Sequence, residues 1–225
     1  MVRSVVDMVC ALALLATLSA PSPAQDRQQD TPGQFDFYVL SLSWSPSFCA
    51  AAAERDGGRS AGPECGSRPY SFVVHGLWPQ YERGFPEYCQ TPAPRLDQDT
   101  ISAMLDLMPA PQLVISEWDK HGTCSGLSPR AYFEILRKAR AAVKIPPDYQ
   151  NLQQPLGVTP GAVEDAFIKA NAGLAYGDIA ILCDRKRLTE VRLCLAKDLQ
   201  FRACPEIARR SCRRDRLIMP PLRGG

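Results

Sequence analysis

The chain has 225 residues, 26 Lys+Arg against 24 Asp+Glu, and a formal net charge of +2. So small an excess excludes a protein that holds a polyanion by bulk charge, and with only two histidines a metal centre built on imidazoles is a poor fit. Nine cysteines and twenty prolines point instead to a loop-rich domain stapled by disulfides.

The first element is "MVCALALLATLSA", Met8 to Ala20, an apolar run behind Arg3. It has the length of a signal-peptide core and is too short to span a bilayer. "SPA", Ser22 to Ala24, supplies the small-x-small cleavage pattern, with Ala20 an alternative. Residues 1–24 are read as a signal peptide and 25–34, "QDRQQDTPGQ", as a flexible lead-in. Cys10 precedes the apolar run and does not fit a lipoprotein cysteine. Residues 35–225 then form one domain, long enough for a core, with no later segment apolar enough to cross a membrane. Cys49, Cys65, Cys89, Cys124, Cys183, Cys194, Cys204 and Cys212 remain, an even count that reads as four disulfides in an oxidising compartment, periplasmic or extracellular. Spacing does not choose among their pairings.

"FDFYVLSLSW", Phe35 to Trp44, alternates as a core strand, with Phe35, Phe37 and Val39 on one side and Tyr38, Leu40, Leu42 and Trp44 on the other. The segment between Cys49 and Cys65 reads as a disulfide-closed loop, and "YSFVVHGLWP" as a second strand ended by Gly76 and Pro79. Three helices follow. Ile101, Met104, Leu105 and Met108 keep helical spacing up to Pro109. Ser128-Pro129 and Thr159-Pro160 are N-cap and first-turn pairs ahead of two further apolar stripes. "DIAILCD" and "LTEVRLCLA" read as strands joined by Arg185–Arg187, and a short strand is expected over Leu199–Ala203. The tail from Pro205 carries six arginines against Glu206 and Asp215 and reads first as solvated, second as a phosphate-attracting patch. Strands at both ends with helices between predict an α+β domain with a mainly antiparallel sheet.

The chemistry concentrates in two short stretches. In "EWDKHGTC", Glu117 to Cys124, a helical turn would put Glu117, Lys120 and His121 on one face, with Ser116 and Asp119 as a capping-box-like start and Trp118 turned into packing. The second imidazole, His75, stands in "VVHGLWPQ" at the end of a predicted strand. One neutral and one protonated imidazole can divide a proton transfer, and a lysine can absorb charge growing on a phosphoryl oxygen. RNA carries its own nucleophile, the 2′-hydroxyl, so base, acid and charge stabiliser suffice without a cofactor. Singly, each residue has a bland reading: a structural histidine, a surface ion pair, a core tryptophan. Together, two short polar-aromatic motifs hold every histidine of the chain.

"HGLWP", His75 to Pro79, and "EWDKHGTC" resemble the two active-site segments of the ribonuclease T2 family, and "FYVLSLSWSPSFC" and "LTEVRLCLAKDLQFRAC" resemble its first and C-terminal strands. A bacterial, periplasmic or secreted member is implied, a metal-independent endoribonuclease cleaving single-stranded RNA through a 2′,3′-cyclic phosphate to 3′-phosphate ends, with loose base preference. The resemblance makes His121 the general base, His75 the general acid, Lys120 and Glu117 the stabilisers of the phosphorane, and Trp78 part of the substrate environment. It pairs Cys89 with Cys124 and Cys183 with Cys212, leaving Cys194–Cys204 and Cys49–Cys65 by proximity. One position departs: many members carry a third histidine where this chain has Ser116, whose hydroxyl brings no charge to a phosphate. Tyr81, Glu82 and Met108–Leu113 are candidates for base contacts by position. The expected partner is RNA, the expected state a monomer. The rival reading is a secreted RNA-binding protein on a catalytically weakened scaffold, for which Ser116 is the only support. A serine or cysteine protease is remote, since no G-x-S-x-G occurs.

Overall fold

A computed structural model describes residues 30–222 except 58, 60 and 67. The expected signal peptide and residues 25–29 of the lead-in lie outside the described residues. The end of the lead-in is docked, not loose: residues 32–33 form a turn, and the Gly33 N–H donates to the Cys124 carbonyl.

The fold is α+β, as expected. Its centre is a four-stranded antiparallel sheet in the order β2-β1-β5-β4, with β1 Phe37–Trp44, β2 Phe72–Gln80, β4 Ile179–Cys183 and β5 Leu188–Leu195. β1 has neighbours on both sides and is buried on both faces, which its near-continuous apolar sequence requires. Tyr38, Leu40, Leu42 and Trp44 join the main core with Val74, Leu77, Leu193, Trp118, Tyr132 and Phe167. Phe37 and Val39 face the other way, into a small cluster with Trp78, Ala180 and Cys194. Phe35 precedes the strand and packs into the main core instead of following Phe37 as expected.

Helices α1 Ser45–Asp56, α2 Gln98–Ser102, α3 Pro111–Lys120, α4 Pro129–Ala142, α5 Pro160–Ala170 and α6 Pro205–Ala208 complete the domain with a two-stranded sheet of β3 Leu156–Val158 and β6 Leu217–Met219. The Ser128 and Thr159 side chains cap α4 and α5, accepting from the N–H groups of Ala131 and Ala162.

Several expectations change. The supposed loop after Cys49 begins inside α1, because the alanine run Ala50–Ala53 favours helix until Gly57 closes it in the left-handed conformation. β2 does not stop at Gly76 or Pro79 but runs to Gln80; it is an edge strand, where a proline nitrogen can face outward without costing a ladder bond. The helix around Ile101 is only five residues and continues as turns that still bury Met104 and Met108. The strand expected over Leu199–Ala203 shrinks to one bridge, Leu195 to Phe201. The tail is not simply solvated: Leu217 and Met219 are buried in β6, and the Trp44 indole donates to the Pro220 carbonyl.

All four disulfides form as Cys49–Cys65, Cys89–Cys124, Cys183–Cys212 and Cys194–Cys204. Cys89–Cys124 fastens the segment before Thr91 to the turn after His121. Among the described residues no helix is long and apolar enough to cross a membrane.

Candidate active site

The sheet face opposite the main core carries the site, and a register irregularity puts His75 on it. Ser41 pairs with Gly76 while Leu42 pairs with Val74, so His75 is the extra residue of a bulge. Val74 and Leu77 both enter the main core, and the bulge leaves His75 and Gly76 together on the opposite face with Trp78. β5 supplies the neighbours: Glu190 pairs with Ser43 and Arg192 with Ser41 across β1.

These pairings build one network. The Glu190 carboxylate meets His75 Nδ1 at 2.7 Å, accepts from the Ser41 hydroxyl at 3.2 Å, and accepts from Arg192 Nη2 at 2.7 Å. The Arg192 guanidinium also lies over the Trp78 ring, 4.8 Å from its centroid. Trp78 Nε1 donates to Glu117 Oε2 at 2.6 Å, and Glu117 Oε1 is 3.6 Å from His75 Nε2. This bond explains the glycine of "HGLWP": a side chain at Gly76 would collide with Glu117 Oε2 and the Trp78 indole nitrogen.

Glu117 and Lys120 come from the last turn of α3, and His121 is its C-cap. Trp118 turns into the core and donates to the Pro94 carbonyl at 2.7 Å. Gly122 is needed where the chain leaves the helix, because a side chain there would strike the Trp118 ring. The His121 ring is buried against Trp78, centroids 5.3 Å apart, with Phe85 at 6.3 Å. Trp78 also touches His75 edge-on at 5.3 Å. One indole thus stands between both imidazoles and hydrogen-bonds the carboxylate.

The two imidazoles are polarised oppositely. Burial works against charge on His75, but the hydrogen bond and charge of Glu190, aided by Glu117, outweigh it and hold His75 above its ordinary value. Burial pushes His121 down to about 3, and the positive charges of Lys120, His75 and Arg192 add to this. Burial likewise raises Glu117, against the pull of His75, Trp78 and Lys120. Glu190 is held at about 2: burial opposes this, and the His75 and Arg192 contacts overcome it. The site thus biases His75 toward its charged form and His121 toward its neutral one.

A family comparison adds the decisive observation: residues 35–204 match the Ribonuclease T2 family. The chain belongs to the ribonuclease T2 family. Membership makes it an endoribonuclease. A ribonuclease of Aeromonas hydrophila is 36% identical over 198 residues, covering 83% of this chain and 84% of that protein. Among solved structures, an RNase-related protein from Calystegia sepium matches in fold with a TM-score of 0.62 at 21% identity, covering 83% of this chain and 97% of its own. RNase NT in complex with 5′-AMP matches with a TM-score of 0.55 at 25% identity, covering 84% and 98%.

Of the T2-type residues expected from sequence, His75, Trp78, Glu117 and His121 converge as described. Lys120 stands at the rim, its Nζ 3.4 Å from Glu87 Oε2. Ser116 does not start the helix: it lies within α3, exposed, its hydroxyl donating to the Gln112 carbonyl at 2.8 Å, so the capping-box reading fails. Tyr81 packs against the main core, and burial together with Asp30 and Asp36 raises its hydroxyl. Glu82 is paired with Arg202. Neither is among the residues meeting the imidazoles. From Met108–Leu113, Met108 is core, whereas Ala110 and Leu113 line a pocket of about 380 Å³ beside His75 with Phe48, Val73 and Glu64. Sequence reading missed Glu190 and Arg192; two opposite charges alternating with buried Val191 and Leu193 were the available signal.

Proposed function

We propose that this site cleaves single-stranded RNA by directing a 2′-hydroxyl at its own phosphodiester, without a metal and with loose base preference. Neutral His121 takes the 2′-hydroxyl proton as the new O–P bond forms. Charged His75 gives its proton to the departing 5′-oxygen as the old O–P bond breaks, leaving a 2′,3′-cyclic phosphate. Water then opens the ring with the two histidines in exchanged roles, giving a 3′-phosphate. Lys120 and Glu117 flank the five-coordinate phosphorus, the ammonium absorbing its extra negative charge. Lys120 trades its rim contact with Glu87 for the phosphate.

The observation that carries this reading is the opposite polarisation of His75 and His121 around Trp78. A base depressed to about 3 is weak. A bound phosphodiester anion strengthens it, because negative charge beside His121 offsets the part of the depression that the cations add to burial. Glu190 acts through His75, as a positioning residue: it fixes the imidazole and keeps it protonated. The pocket beside His75 would seat the nucleoside on the leaving-group side. Its walls at Phe48, Val73, Ala110 and Leu113 are apolar, which favours stacking over hydrogen-bond readout and fits loose base preference.

Four disulfides favour an oxidising compartment, secreted or periplasmic, and we take the working form to be a monomer. Incubation with RNA in the presence of a chelator tests the proposal: fragments ending in 2′,3′-cyclic phosphate support it. Retarded but uncut RNA would point to binding alone.

A further inference from the structure

The catalytic network uses up its nearest arginine, but a second group of basic side chains lies just beyond it without partners among the described residues. The Cys183–Cys212 disulfide holds the end of β4 against the segment before β6. Around it, Arg185, Arg213 and Arg214 with Asp184 line an open depression. All three arginines are exposed, and none makes an ion pair or hydrogen bond among the described residues. Arg187, in the same turn, is different: it is bound to Glu54 and Asp184 and is mostly covered. That pairing, with the backbone N–H groups of Lys186 and Arg187, also engages the Asp184 carboxylate, so its charge does not oppose an incoming anion unaided.

The position of this surface matters more than its charge, since exposed arginines are commonly just solvated. Asp184 lines both the basic depression and the apolar pocket beside His75, so the two adjoin at that residue. Past the same turn, Lys186 and Arg216 line another depression. A chain with a net charge of only +2 thus places a run of cations, unpartnered among the described residues, beside the pocket at His75.

We infer that the Arg185–Arg213–Arg214 surface is a binding track for the RNA strand on the 3′ side of the cleaved bond. The direction follows from the proposed function, on which the inference rests. His75 protonates the 5′-oxygen of the leaving nucleoside, and the pocket next to it seats that nucleoside. The phosphates that follow toward the 3′ end leave the pocket at its Asp184 end and meet the three guanidiniums. Arginine forks suit single-strand phosphates, which carry charge without a fixed duplex geometry.

Three substrates with a single cleavable ribose test this: a dinucleoside monophosphate, the same step extended by deoxynucleotides on the 3′ side, and the same step extended on the 5′ side. The protein is compared with Arg185→Gln, Arg213→Gln and Arg214→Gln combined. The native chain should favour the 3′-extended substrate in kcat/KM, and the triple variant should lose roughly tenfold on it at low salt, with a log–log salt slope shallower by about 2. Unchanged kinetics on the dinucleoside monophosphate show that fold and chemistry are intact. Equal losses on the 5′- and 3′-extended substrates, or no preference for 3′ extension in the native chain, would overturn the track. Cleavage of none of the three by the native chain would overturn the ribonuclease reading itself.

Discussion

Replacing Glu190 by glutamine tests the division of labour between the imidazoles. The carboxylate sits 2.7 Å from His75 Nδ1, and glutamine can keep an oxygen there while losing the charge. A full charge pair near 4 Å with an effective dielectric of about 20 is worth about 4 kcal/mol. Two features reduce this: Arg192 binds the same carboxylate, and the His75 side chain is 35% exposed. About 1–2 kcal/mol remains, or about one pH unit. In the native chain, kcat/KM falls at the acid end as His121 takes a proton and at the alkaline end as His75 loses one. Glu190 holds His75 up, so Glu190→Gln moves the alkaline limb down by about one unit and leaves the acid limb in place. Activity then drops roughly tenfold above neutrality and little near pH 5. The charged groups that face His75 are Glu190 and Arg192 on β5, Glu117 on α3 and Glu64 in the Pro63–Cys65 turn, and only the first is changed. The assay is kcat/KM on a dinucleoside monophosphate from pH 4 to 9. An alkaline limb that stays within about 0.3 units, or a loss equal at every pH, would refute the assignment.

Other outcomes follow from the same geometry. His75→Ala and His121→Ala should each abolish transesterification while melting near the native temperature; a mutant keeping most of its activity would remove that residue from the reaction. Lys120→Ala should lower kcat on the order of 10²-fold, whereas Glu87→Gln, which frees the same ammonium, should lower KM two- to threefold by roughly the worth of an exposed ion pair; steady-state kinetics separate the two. Ser116→His, on the exposed side of α3, should raise activity toward RNA by restoring a charge that the hydroxyl lacks; no gain between about pH 4 and 8 in a folded variant counts against that role.

Much of the site was legible in the sequence because its chemistry is local. Glu117, Lys120 and His121 fall within two helical turns, and "HGLWP" carries its histidine, its positioning tryptophan and the glycine that lets Trp78 reach Glu117. Glu190 was not legible, because a glutamate in an amphipathic strand reads as solvent-facing. Only the β1–β5 register and the bulge at His75 bring it to the imidazole, and neither leaves a mark in local sequence. The tail misled for a related reason: its arginines hide Leu217 and Met219, which are buried through pairing with the distant β3. The segment after Cys49 misled because its glycines outweighed the alanine run that forms α1.

The central claim is that one imidazole is charged and the other neutral before substrate arrives, and the chain has only two histidines to follow. Titration of both rings by ¹⁵N-edited NMR, assigned with the two alanine variants, measures this directly. The account predicts His75 titrating above the ordinary histidine value and His121 still neutral well below pH 5. Two coincident titrations near 6.5, or the reverse order, would contradict it.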